Sequence, residues 1–112
     1  MIRATTPKHS FIFEVDPEES FSNILITYAQ SGEIILEKNK SDLTFDECED
    51  LNGRNIYIAS VKLTQEETNM FHASPKGVVD IQVRAITTDG DALASDIERI
   101  SVQNVLNDEV LL

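Results

Sequence analysis

The 112-residue sequence has no tryptophan, one cysteine, three prolines and four glycines. Each shortage excludes something. A lone Cys48 cannot close an intrachain disulfide, so nothing here requires an oxidising compartment. Without a supporting motif, that thiol reads as a loop or half-buried residue, not as a nucleophile. Four scattered glycines make no phosphate-cradling loop. Cations are scarce: 9 Lys and Arg stand against 20 Asp and Glu, a net charge of −11. Such a chain cannot neutralise a phosphate backbone, which argues against nucleic acid and for a basic partner. No apolar run approaches the ~18 residues of a membrane span. The opening MIRATTPKHS lacks the apolar stretch of a signal peptide, so synthesis in a cytoplasm is expected.

What is there is strand-like alternation. Hydrophobic residues make up 41% of the chain, enough for a packed domain and one core. The strongest pattern runs from Val78 to Val102. Val79, Ile81, Val83 and Ala85 alternate with polar residues, which predicts a strand with one buried face. Leu93 and Ile97 continue the odd-numbered set. A three-residue loop at Thr88-Asp89-Gly90, with Gly left-handed, keeps odd facing odd. That register sets Ala85 opposite Leu93 and Ile81 opposite Ile97. Because Ile100 and Val102 are even, a β-bulge near Glu98-Arg99 is expected to bring Ile100 opposite Val79.

Upstream, residues 1–10 read as an extended arm, with His9 exposed on it. Phe11, Phe13 and Val15 then alternate as a strand. Asp16-Pro17-Glu18-Glu19 is a turn, and 21–30 a strand apolar on both faces. Ser31-Gly32 turns into a strand with Ile34 and Leu36 on one face. Leu43 and Phe45 suggest a short strand. Ile56 to Leu63 is another, with Tyr57, Ala59, Val61 and Leu63 sharing a face. Thr64 with Glu67 forms a capping box that opens a short helix. Met70 and Phe71 are expected to dock from it, His72 to cap its C-terminal end, and Ser74-Pro75-Lys76-Gly77 to stop it. The tail, 103–112, carries Val105, Leu106, Val110, Leu111 and Leu112. It either pairs with a sheet edge or docks on another chain, and we favour the second. The expected architecture is all-β: an Ig-like antiparallel β-sandwich of six or seven strands with one short helix, in a single domain spanning 1–112.

Catalytic and metal signals are thin. Asp46, Glu47, Glu49 and Asp50 crowd together, but their spacing matches no calcium loop, and a solvated loop is the plainer reading. Asp89, Asp91 and Asp96 lack the calcium-loop order, so Asp89 reads as a turn former. No nucleophile elbow accompanies the serines. Neither histidine has a second ligand at metal-binding spacing. No enzyme activity, cofactor or metal is expected.

Several segments occur together: the MIR-TTP-H-F lead, ITYAQ-G, V-LTQEET--F, IQVRA-TTDGDALASDI---SV and a VLN-EVL tail. In this the chain resembles short structural proteins of tailed phages and prophages of Gram-positive bacteria. The likeness runs from Met1 to about Leu111 and departs at 14–23 and 38–55. The sandwich is also similar, in architecture only, to N-terminal adaptor domains of phage baseplate proteins. The resemblance implies a non-enzymatic virion component of a tail or baseplate, with other virion proteins or further copies of itself as partners. It brings no catalytic residue with it. Candidate assembly residues are Val105, Leu106, Val110 and Leu111, then Phe11 and Phe13. The alternative is a carbohydrate-binding module for a cell-surface glycan, for which Tyr28 and Tyr57 are the only plausible aromatics.

Overall fold

A computed structural model describes residues 1–73 and 77–112. Eight strands are present: β1 (Lys8–Phe13), β2 (Phe21–Gln30), β3 (Glu33–Asn39), β4 (Thr44–Glu49), β5 (Asn55–Lys62), β6 (Val78–Thr87), β7 (Ala92–Ala94) and β8 (Glu98–Ser101). They form two antiparallel sheets, one in the order β1-β5-β4 and the other β3-β2-β6-β7, with β8 also pairing β6. The sheets close over one apolar cluster that includes Ile24, Ile26, Tyr28, Val61, Leu63 and Phe71. The all-β sandwich expected from alternation is therefore the observed fold.

The chain passes between sheets after β1, β3 and β5, and among the described residues each passage holds one short helical turn. The turns are α1 (Pro17–Ser20), a 3-10 turn (Lys40–Asp42) and α2 (Gln65–Thr68). Each is N-capped by a side chain: Asp16 accepts from Glu18 N–H, Asn39 from Ser41 N–H, and Thr64 from Glu67 N–H. The capping box at Thr64 is present as expected; Asn39 with Asp42 makes a second one. A turn this short cannot satisfy its own amides, so the caps are what make the crossings possible. The expected short helix is α2, and among the described residues two further short turns accompany it. Thr68, buried in α2, pins the N-terminal arm: it accepts from Thr5 N–H and its hydroxyl lies 3.0 Å from Thr5 O.

The β6–β7 hairpin has the expected three-residue loop. Thr87 N–H donates to Asp91 O, Gly90 N–H to Thr87 O, and Gly90 sits at φ +95°. Ala85 faces Leu93 and Val79 faces Ile100, as expected. The bulge lies earlier than Glu98-Arg99. Ile81 faces Glu98, not Ile97, so the extra residue falls within Ser95 to Ile97, and Ile97 is exposed. Ser95 supplies the physical reason: its hydroxyl accepts from Val83 N–H at 3.0 Å, substituting for a ladder carbonyl. This break splits the second arm into β7 and β8, which raises the strand count to eight.

Other expectations need correction. Ile34 and Leu36 do not share a face, because Ile35 is an extra residue on β3 that sets Leu36 against Tyr28 and Ile34 against Ala29. Ile34 is exposed. Phe71 is fully buried, whereas Met70 points outward. Val15 is exposed beyond the end of β1. His72 does not cap α2: Asn69 holds that position, and His72 is held by its backbone, whose N–H donates to buried Gln30. His9 is not on a free arm. It belongs to β1, half-buried, with Nδ1 2.7 Å from the Tyr28 hydroxyl. The stop signal at Ser74-Pro75-Lys76 lies outside the described residues.

Candidate functional site

Two surfaces stand out from the rest of the molecule. The first is the tail. Gln103 bridges Ile2 in parallel, with Gln103 N–H donating to Met1 O and Arg3 N–H to Gln103 O. Beyond it the chain turns back along α2 and is held by polar groups. Arg3 reaches Asn104 Oδ1 at 3.0 Å and Asp108 at 3.2 Å. Asn69 donates to Asp108 O, and Gln65 both donates to Leu111 O and accepts from its N–H. The apolar side chains are left outside this arrangement. Leu106 is 109% exposed, Leu111 76% and Leu112 120%; Val105 and Val110 are half-buried. The tail thus docks on its own chain through backbone and polar atoms while presenting leucines to solvent. A leucine in water forgoes about 1.5–3 kcal/mol that burial would supply.

The second surface is a groove of about 580 Å³ on the open side of the sandwich. Its floor and walls include Phe11, Phe13, Phe21, Val83 and Leu93. Phe11 and Phe13 face inward because their β5 partners are Ala59 and Tyr57, and the Phe13 and Phe21 rings lie 5.8 Å apart. They sit at the margin of the core, half-buried. Among the described residues, the charged ones that line the groove are Asp96 and Glu98. Sequence reading found the two phenylalanines but not the groove. Its far wall depends on β7 stopping after three residues, which the Ser95 bulge decides.

The six candidate assembly residues therefore fall into two groups. Phe11 and Phe13 line the groove, whereas Val105, Leu106, Val110 and Leu111 lie in the tail and are absent from its lining.

The acidic stretch is spread out, not gathered. Asp46, Glu47 and Glu49 lie along β4, whose side chains alternate between faces. Asp50 closes the β4–β5 loop by accepting from Asn52 and Arg54 N–H groups at 2.8 and 2.9 Å. Among the described residues no three His, Cys, Asp or Glu side chains gather at metal-binding distance. Asp89 sits in the hairpin loop as a turn residue, and Cys48 is exposed on β4. Tyr28 is fully buried and Tyr57 half-buried. No helix among the described residues is long and apolar enough to cross a membrane.

Two polar contacts adjoin the core, His9 with Tyr28 and Lys38 with Glu67. Burial lowers the His9 pKa below 6.5, helped by the positive Met1 amino group. Burial, and then the nearby Glu67 carboxylate, raise that of Tyr28, so its hydroxyl stays protonated. Burial alone would raise the Glu67 pKa. Hydrogen bonds from Lys38 and from Thr64, with the Lys38 charge, outweigh it and hold Glu67 below its ordinary value. No protein-family model matches the chain, and no curated protein matches its sequence.

Proposed function

We propose that the chain is a non-enzymatic structural or adaptor module of a phage tail or baseplate, acting by protein–protein assembly within the virion. The observation that carries the assembly reading is the tail, whose leucines stand in water although the backbone beside them is bonded to α2. A polar clamp that orders apolar side chains outward pre-organises them for a partner and lowers the entropy lost on docking. The placement in a phage particle rests on the sequence resemblance. The glycan-binding alternative draws less support, since Tyr28 is in the core and cannot stack on a sugar.

The test is in two parts. Light scattering on the full chain and on a chain ending at Gln103 is expected to show association that the shorter chain loses. A monomer in both removes the self-assembly reading. Mass spectrometry of purified phage particles is expected to find the protein at stoichiometric level, and its absence from them removes the virion assignment.

A further inference from the structure

The two sheets have four outer edges, and three of them carry devices that discourage a further strand. On β4 these are Asp46, Glu47 and Glu49. On β3 they are Glu33, Glu37, Lys38 and the bulge opposite Tyr28–Ala29. The β7–β8 edge is broken after three residues at Ser95. Charges, bulges and short length are the usual protections of a sheet edge. The fourth edge, β1, carries one charge, Lys8 at its start, and none of these devices over His9 to Phe13. It pairs β5 on one side only, and Ile12 on its outer face is 70% exposed. Its uncharged stretch, Ser10 to Phe13, is also one wall of the apolar groove.

We propose that β1 accepts an extended segment of another protein as an added antiparallel or parallel strand. That segment carries alternating apolar side chains that fill the groove and is flanked by Lys or Arg. Backbone pairing along β1 would supply affinity, and the side chains facing Val83 and Leu93 would supply selectivity, as in other strand-addition sites. The basic flanks follow from charge. Asp96 and Glu98 line the groove with no cation beside them in that lining, on a molecule of net charge −11. A second copy of the chain is disfavoured for the same reason, since it brings another −11 to the acidic lip. A second copy's tail is disfavoured too, because Asp108 and Glu109 lie among its apolar residues. The inference extends the assembly reading to a second surface and does not depend on the tail.

The test is two-dimensional NMR of the full ¹⁵N-labelled chain titrated with the capped peptide Lys-Lys-Val-Thr-Val-Thr-Val-Lys-Lys. Expected are saturable shifts at Ile12, Leu93 and Ala94, not at Leu106 or Leu111. The double variant Asp96→Asn/Glu98→Gln, both at exposed positions, should weaken binding by about threefold to tenfold, the worth of two exposed ion pairs. A peptide N-methylated at alternate amides should lose binding by at least about tenfold, the cost of one to two backbone hydrogen bonds. Any of several results overturns the proposal. They are no shifts at millimolar peptide, equal binding of a Glu-flanked twin, equal binding of the N-methylated peptide, or the same shifts on concentrating the protein alone. Shifts confined to 105–112 would also overturn it while leaving the tail reading intact.

Discussion

Ser95 shows how much one hydroxyl can decide. Its N–H donates to Val83 O at 2.8 Å and its Oγ accepts from Val83 N–H at 3.0 Å, so one residue completes both halves of a ladder pair out of register. Nothing in the sequence marks it; a serine directly after a strand is ordinary. Phase counting could show that a bulge was required but not which residue would carry it. Ser95→Ala is expected to leave the part-buried Val83 N–H without a partner, at about 1–3 kcal/mol by chemical denaturation. Loss of less than half a kcal/mol would mean water replaces the hydroxyl. The position of His9 is hidden for a related reason: clear alternation begins at Phe11, whereas β1 starts at Lys8. Its lowered pKa gives a signed prediction. The unfolded chain takes up the His9 proton near pH 6.5, whereas the native state resists it. The stabilisation is therefore complete above 6.5 and is lost as pH falls through the folded value. The stability of the native sequence minus that of His9→Gln should fall below pH 6.5 and then level off; a difference independent of pH would show that burial does not govern this imidazole.

At the scale of elements, the strands were legible and the crossings mostly were not. The bounds of β2, the β6–β7 loop and the Thr64 cap follow from flanking turn residues, alternation with glycine placement, and a capping box, all local signals. The Asn39 cap is local too, with partners at Ser41 and Asp42, but the contacts that dock the tail on α2 are not. They depend on groups far apart in sequence, such as Arg3 with Asp108, that no periodicity announces. The tail clamp is testable as an element. Arg3→Ala removes bonds to Asn104, Asp108 and Asn69 O while leaving the sheets untouched. Because Asp108 is half-exposed, the global cost should stay near 1 kcal/mol. The local effect should be larger: hydrogen exchange at Leu111, whose N–H is held by Gln65, should rise severalfold while exchange in β2 and β6 stays slow. Equal exchange in both proteins would mean Gln65 and Asn69 hold the tail without Arg3. A second elemental constraint is Gly77, where an added Cβ would meet the carbonyl oxygens of Ala73 and Val102 at 2.6 Å. Both contacts are backbone, so neither can rotate away. Gly77→Ala should cost about 1–3 kcal/mol and loosen the start of β6 against Val102, which differential scanning calorimetry would register.

For the whole molecule the controlling quantity is charge. Twenty carboxylates and nine cations are spread over a body about 44 × 28 × 25 Å. Among the described residues three ion pairs form, and only that between Lys38 and Glu67 has both side chains largely shielded from water. Repulsion therefore outweighs attraction at neutral pH. At 0.01 M salt the screening length is about 30 Å, comparable to the molecule's width, so nearly every carboxylate feels the others. At 0.1 M it is about 10 Å, and most of that repulsion disappears. The Lys38–Glu67 pair, being shielded, loses little over the same range. Folding should thus become more favourable with salt, the reverse of what a protein held together by surface ion pairs would show. A gain of roughly 1 kcal/mol between 0.01 and 0.3 M sodium chloride would move Tm upward by roughly 4 °C for a domain of this size. The same screening lets like-charged copies approach. Association through the tail leucines should therefore strengthen with salt in the full chain and remain absent in the chain ending at Gln103. If Tm rises with salt but the full chain stays monomeric throughout, electrostatics limits stability alone, and the exposed leucines must meet a partner other than a second copy.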